Sequence, residues 1–283
     1  MQLSSKAQRP FMAALLTPVT LLYVVFLIAP IGFFLALSFM TYSPMQMFAM
    51  PLTLDNYGRL LLDDHYRSII YSTLRVSLTV TALAALGGYT LAYFLSRLNS
   101  VWRGVLLFLV IAPLMTGVIV RTYGWIVLLG SDGLINTILI GLGIIDRPLS
   151  MLNSEGTVVV ALVHIMLPYM VFPIFSSLVS QDSNLVPAAT TLGAGKPRAF
   201  FEVTLPLSRS GIIMGSALVF TMTSGSIVTA DLLGGRDLSM MGPLIYDLIL
   251  STFNWPLGAA VGALLVMTQF VILSLIFRRN GRA

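Results

Sequence analysis

The chain contains no cysteine, which removes disulfides, thiolate metal sites and cysteine nucleophiles from consideration. Histidine is nearly as scarce. Only His65 and His164 occur, too few for a His-rich metal cluster or a Ser-His-Asp set of any specificity. Charge is short as well, at 10% of 283 residues, and none lies between Arg9 and Asp55. A phosphate-binding loop is also missing. GAGKP at 193–197 has a superficial likeness to one, but Pro197 stands where Ser or Thr must hold magnesium, and the preceding residues read as helix rather than strand. The sequence thus offers no metal site, no cofactor site and no convergent acid–base set, and no means of binding ATP by itself.

What is present is hydrocarbon. At 57% hydrophobic residues, the composition fits an all-α polytopic membrane protein and not a globular domain with one core, which would leave too much apolar surface in water. Low-charge runs occupy 11–40, 68–96, 103–129, 156–180, 210–230 and 248–277. Each is long enough to cross a bilayer as a helix of about 20 residues with its backbone bonded internally. About six transmembrane helices are expected. The first run is too long for the hydrophobic region of a signal peptide and lacks a persuasive cleavage site, so it reads as a retained span.

Lys and Arg set the orientation, because short cytoplasmic loops carry their excess. Lys6, Arg9, Arg97, Arg103, Lys196, Arg198, Arg209, Arg278, Arg279 and Arg282 fall on one side of the expected spans. Arg59, Arg67, Arg147 and Arg236 fall on the other, among most of the aspartates. Both termini and the 181–209 loop are then cytoplasmic. The net charge of +5 is accounted for by membrane orientation and calls for lipid, with no nucleic-acid partner. The chain divides into an N-terminal tail, first span and external loop over 1–67, a five-helix core over 68–278, and a cytoplasmic tail over 279–283.

Several internal features invite a role. LTLDNYGRLL after Pro51 reads as a short surface helix in the first outer loop, a docking surface for an external partner. Gly87-Gly88 and Gly258-x-x-x-Gly262 permit close helix approach, most simply for internal packing. Residues 133–145 are apolar but short and read as an interfacial or re-entrant segment. Arg75 and Arg121 are the two charges inside spans, and an intramembrane arginine costs roughly 2.5–3.5 kcal/mol on insertion scales. Each either snorkels or pairs with an outer-face aspartate, or serves gating or the substrate path. His164 reads as a packed or hydrogen-bonded intramembrane side chain rather than a proton relay. Asp231 and Asp247 can meet an ammonium group, and Tyr123, Trp125, Tyr246 and Trp255 can offer aromatic faces to a cation. Interfacial anchoring for the aromatics and simple solvation for the aspartates are the competing readings.

The most informative stretch is 185–211, LVPAATTLGAGKPRAFFEVTLPLSRSG, polar and turn-rich between two apolar runs. Asn184 can cap a helix that holds Pro187 in its first turn. Gly193 and Gly195 break that helix. Lys196-Pro197 opens a second amphipathic one with Phe200, Phe201 and Val203 on one face, and Leu205-Pro206 closes it. This helix-turn-helix resembles the EAA coupling loop of type I ABC importer permeases. Ala188, Ala189, Gly193, Leu205 and Pro206 match that pattern, while Pro187 occupies the position of its glutamate. RTYGWIVLLGSDGLIN, LGIIDRPLSM, ADLLGG and FNWPLGAA are similar to the spermidine/putrescine-type importer permeases.

The resemblance implies a transport subunit and not an enzyme, in the bacterial inner membrane, with no cofactor of its own. It implies partner ATPase subunits docking on 185–206, a second and different permease, and an external solute-binding protein. The implied solute is small and amino-bearing: polyamine-like, aminoalkylphosphonate-like or opine-like. An ion-coupled secondary transporter is the alternative, and it would need mid-membrane carboxylates that the charge census does not offer.

Overall fold

The computed structural model describes residues 17–45, 47–235 and 238–278. Lys6, Arg9, Arg236, Asp237, Arg279, Arg282 and the expected 279–283 tail lie outside the described residues. The chain forms two compact units, one of residues 1–63 with 245–264 and one of 64–244 with 265–283.

In the first unit, α1 (Thr17–Leu37) is long and apolar enough to span a membrane, and no residue of its apolar window is fully buried among the described residues. It leads into an antiparallel pair, β1 (Met40–Thr41) with β2 (Ala49–Leu52), whose Met50–Pro51 peptide is cis. The expected helix after Pro51 is α2 (Asp55–Leu62). It is more than a surface element. Asn56 is buried and its Nδ2 donates to the carbonyls of Ser38 and Met40, each at 2.9 Å. Ser38 Oγ and Tyr57 OH share a hydrogen bond of 2.7 Å, so α2 holds the end of the first span. Farther along, the Gly258/Gly262 pair does what its spacing predicts. A Cβ at Gly258 would stand 2.9 Å from Ile249 Cγ1, and one at Gly262 3.2 Å from Phe34 Cε1.

The second unit is organised around three packed helices, α3 (Asp64–Arg97), α7 (Glu155–Val179) and α10 (Arg209–Ser224). Ser154 starts α7 as an N-cap, its Oγ accepting the Thr157 N–H at 3.3 Å. Buried Val76, Val80 and Ala84 of α3 meet Val158, Leu162 and Met170 of α7 and Val219 of α10. Small residues set the distance. A Cβ at Gly88 would fall 2.8 Å from Met170 Cγ, at Gly211 2.5 Å from the Pro173 carbonyl oxygen, and at Gly215 2.7 Å from Met170 Sδ. The Gly211-x-x-x-Gly215 spacing is the close-packing motif of membrane helices, here used within one subunit.

The third expected span is corrected. Instead of one helix over 103–129, α4 (Ser100–Ile111) runs into a 3₁₀ turn at Ala112–Met115, and a new helix, α5 (Val118–Leu129), starts after Gly117. Pro113 and Gly117 interrupt the helix without interrupting the apolar run, so hydropathy passes over the break. The expected interfacial segment is instead α6 (Leu134–Gly141), which extends α5 into a candidate span, Val118–Gly141. Fully buried Asn136 secures that continuation. Its Nδ2 donates to Gly130 O and Leu149 O, both at 3.0 Å, and its Oδ1 accepts the Leu149 N–H at 2.8 Å.

The fifth span is shorter than expected. α10 stops at Ser224, and a separate short helix, α11 (Val228–Gly234), follows. α12 (Met241–Leu250) and α13 (Trp255–Arg278) complete the chain. Among the described residues, five helices are long and apolar enough to cross a membrane, or six if the bent pair Lys196–Leu207 and Arg209–Ser224 counts as one span.

Candidate functional site

The 185–211 segment folds as a helix-turn-helix. α8 (Leu185–Thr191) has no side-chain cap. Asn184 takes another part from the one expected, its backbone N–H donating to Asp182 Oδ1 at 2.9 Å. Pro187 lies in the first turn, and its carbonyl accepts the hydroxyls of Thr190 at 2.7 Å and Thr191 at 3.1 Å. Gly193 then reverses the chain at φ +90°, where a Cβ is strained, and the Ala194 N–H returns to Ala189 O at 3.0 Å.

α9 (Lys196–Leu207) opens with Pro197 in its first turn. It does not close at Leu205-Pro206. A π turn over Phe200–Thr204 shifts the bonding register, so that Pro206 stands at the start of a fresh helical turn, where a missing N–H leaves nothing unpaired. The helix ends at Ser208, and the chain bends by 59° into α10.

The elbow has a fixed face and an open one. Phe200 packs edge-on against Tyr93 and Tyr89 of α3, with ring centroids 5.3 and 5.8 Å away. Tyr89 OH shares a 3.0 Å hydrogen bond with Ser208 Oγ, and Gln181 Nε2 donates to Thr204 O at 3.2 Å. Ala199, Thr204 and Ser208 are buried. On the open face, Leu192 is 90% exposed and Phe201 64% exposed, so Phe201 does not share the packed side with Phe200. Pro187, Ala188, Gly193 and Pro206 are exposed, and Ala189 and Leu205 are partly covered. Arg198 and Glu202 form an ion pair of 2.9 Å along α9.

The intramembrane charges differ from each other. Arg75 pairs with Glu155 at the start of α7, not with an aspartate, and stacks over the Tyr71 ring at 5.5 Å. Arg121 is unpaired: its Nε and Nη1 are buried with no hydrogen-bond partner. Trp125, one turn along α5, meets His164 of α7 edge-on at 5.6 Å, and His164 lies within electrostatic reach of Arg121. His164 is exposed and not packed into the core. Next to this group, Thr122 and Thr229 share a buried 3.0 Å hydrogen bond between α5 and α11. Tyr123 and Asp231 are exposed in the second unit, and Tyr246 and Asp247 are exposed in the first.

Three contributors went unsingled in the sequence: Gly211 with Gly215, Asn136, and Gln269. Gln269 Nε2 reaches Ser224 Oγ at 2.7 Å and Thr221 O at 3.3 Å. A lone amide within an apolar run and a Gly-x-x-x-Gly spacing were the available signals.

The described residues thus hold five or six helices able to span a membrane, with an exposed elbow between two of them. The chain belongs to the binding-protein-dependent transport system inner membrane component family, whose description matches residues 77–282. It is 36% identical over 255 residues to the spermidine/putrescine transport system permease protein PotB of Haemophilus influenzae, covering 90% of this chain and 89% of that one. To PotB of Escherichia coli it is 35% identical over 257 residues, covering 91% and 93%. Its fold matches a solved chain of a bacterial ABC transporter that imports the acidic polysaccharide alginate, with a TM-score of 0.75 at 16% identity, over 98% of this chain and 96% of that one. The protein is therefore an ABC importer permease subunit of the inner membrane, a transport component and not an enzyme.

Proposed function

We propose that this permease carries a small amino-bearing solute of the polyamine class across the inner membrane, driven by ATP hydrolysis in a separate subunit that grips residues 185–206. The carrying observation is the asymmetry of the elbow. Its back is fixed to α3 by Phe200, while Leu192, Gly193 and Phe201 stand open among the described residues. A handle of this form transmits displacement into α10 across the 59° bend. Both termini and the elbow then face the cytoplasm, in keeping with the Lys and Arg distribution.

The solute class rests on the similarity to the PotB permeases. The partners in this reading are ATPase subunits, a second and different permease, and an external solute-binding protein. Arg121, Trp125 and His164 stand together on α5 and α7 and are placed on the solute path in this reading, with the Trp125 ring available to a cation. Alternating access requires that the ATPase and the loaded binding protein stabilise different states of the bundle.

Gly193 provides the test. A Cβ there meets nothing within 4 Å, so a substitution does not clash, but at φ +90° it strains the turn by roughly 1–2 kcal/mol. Gly193→Trp is expected to reach the membrane at normal levels and to lose putrescine or spermidine uptake by more than about tenfold, with ATPase co-purification reduced. Normal uptake in this variant overturns the coupling role.

A further inference from the structure

Beside the elbow lies a cavity of about 400 Å³, bounded by the end of α3, the start of α4, the end of α7 and the first turn of α8. Two guanidinium groups, Arg97 and Arg103, line it, and Val186 and Pro187 form part of its wall. Arg97 is exposed, stacks over the Tyr93 ring at 5.1 Å and donates from Nη2 to Tyr93 OH at 3.3 Å. Arg103 donates from Nη2 to Leu98 O at 2.7 Å, while its Nε is buried with no acceptor. Neither has an ion-pair partner among the described residues. Asp182 also lines the cavity, and one of its oxygens is engaged by the Asn184 N–H.

Asp182 is the one carboxylate in the lining, so the two guanidinium groups outnumber it and the cavity carries a net positive charge. A guanidinium presents a planar fork that matches the oxygens of a phosphate. The surroundings suit a membrane boundary. Phe94, Val101 and Trp102 stand exposed around the turn between α3 and α4, an apolar and aromatic rim at the end of a candidate span.

We propose that this cavity binds a phosphate-bearing anion between Arg97 and Arg103, either the headgroup of an anionic phospholipid or free phosphate. Occupancy ties the first turn of α8 to the α3–α4 turn. The site does not depend on the transport reading, and it holds for whichever leaflet the elbow faces.

The full-length chain in detergent is titrated with dioleoylphosphatidylglycerol, with dioleoylphosphatidylcholine and with inorganic phosphate. Lipid binding is read by native mass spectrometry and phosphate by tracer retention. The native chain is expected to retain the glycerol lipid over the choline lipid. With about fivefold per cationic contact, R97Q/R103Q weakens anion binding by about twenty-five-fold, and R97K/R103K recovers part of it. Retention of the glycerol lipid against millimolar phosphate identifies a headgroup site, and displacement by phosphate identifies a free-anion site. Both outcomes support the proposal. Unchanged binding of both probes by an R97Q/R103Q chain that elutes and circularly dichroically matches the native one overturns it. If the double variant does not fold, R97Q alone decides, since Arg97 is exposed and its side chain touches only Tyr93, by stacking and one hydrogen bond: unchanged binding there is equally fatal.

Discussion

Two spans of nearly equal greasiness have opposite surroundings. The apolar window of α1 has a mean hydropathy of 2.5 and is 0% buried by the chain, while that of α7 has a mean hydropathy of 2.3 and is 56% buried. In water, hydropathy and burial go together. In a bilayer lipid is as apolar as leucine, so burial is decided by which surfaces fit one another. α7 is buried because Gly88, Gly211 and Gly215 let α3 and α10 come within contact of Met170 and Pro173, whereas α1 meets a close glycine of its unit at Phe34, against Gly262, and leaves Val25, Phe26 and Leu27 exposed.

The strongest way to break this comparison is to fill the closest approach. At Gly215 a Cβ would stand 2.7 Å from Met170 Sδ and 3.2 Å from Met170 Cα, so the sulfur can move but the backbone cannot. Gly215→Leu must separate α10 from α7 along their contact. A loss of about 3 kcal/mol or more is expected, at the upper end of overpacking. It appears as a lower unfolding temperature in detergent and a broadened elution profile. A chain that tolerates leucine there would show that lipid-like packing, and not backbone approach, holds the bundle.

The same contrast explains what the sequence made legible. The existence of the spans was readable because every bilayer-crossing backbone must bond to itself, which forces long apolar helices. The elbow was readable because Gly193 and Pro197 are local instructions, and φ +90° at Gly193 is the one they encode. Where one helix ends inside a continuous apolar run was not readable, so the third span was misplaced across the break at Gly117. Partners distant in sequence were also hidden. Arg75 finds Glu155 eighty residues away, and nothing local to either residue names the other. His164 meets the Trp125 ring edge-on yet stays exposed, a helix rotation fixed by tertiary contacts that a nearly uniform apolar run does not report.

Identical deletions in the two spans sharpen the comparison. Leu162 in α7 is 0% exposed, at the centre of the three-helix packing. Leu162→Ala leaves a cavity whose lining loses dispersion contacts. Because the unfolded reference in a membrane or micelle also surrounds the side chain with hydrocarbon, the cost falls at the low end of the soluble range, about 2 kcal/mol. Thermal unfolding of the purified chain measures it.

Leu27→Ala in α1 removes the same atoms from a side chain that is 47% exposed. No cavity forms, because hydrocarbon from lipid or detergent closes over the shortened side chain, and the remaining α1 window stays far more apolar than insertion requires. The expected change is within about 0.5 kcal/mol in the same thermal measurement. The ratio between the two deletions carries the argument, since the side-chain chemistry is held constant while the neighbours differ, Leu27 lying in a π turn of α1 and Leu162 in regular α-helix. A Leu27→Ala loss equal to that of Leu162→Ala would mean that α1 is packed by protein in the folded chain, and hydropathy would then be a sufficient guide to burial here after all.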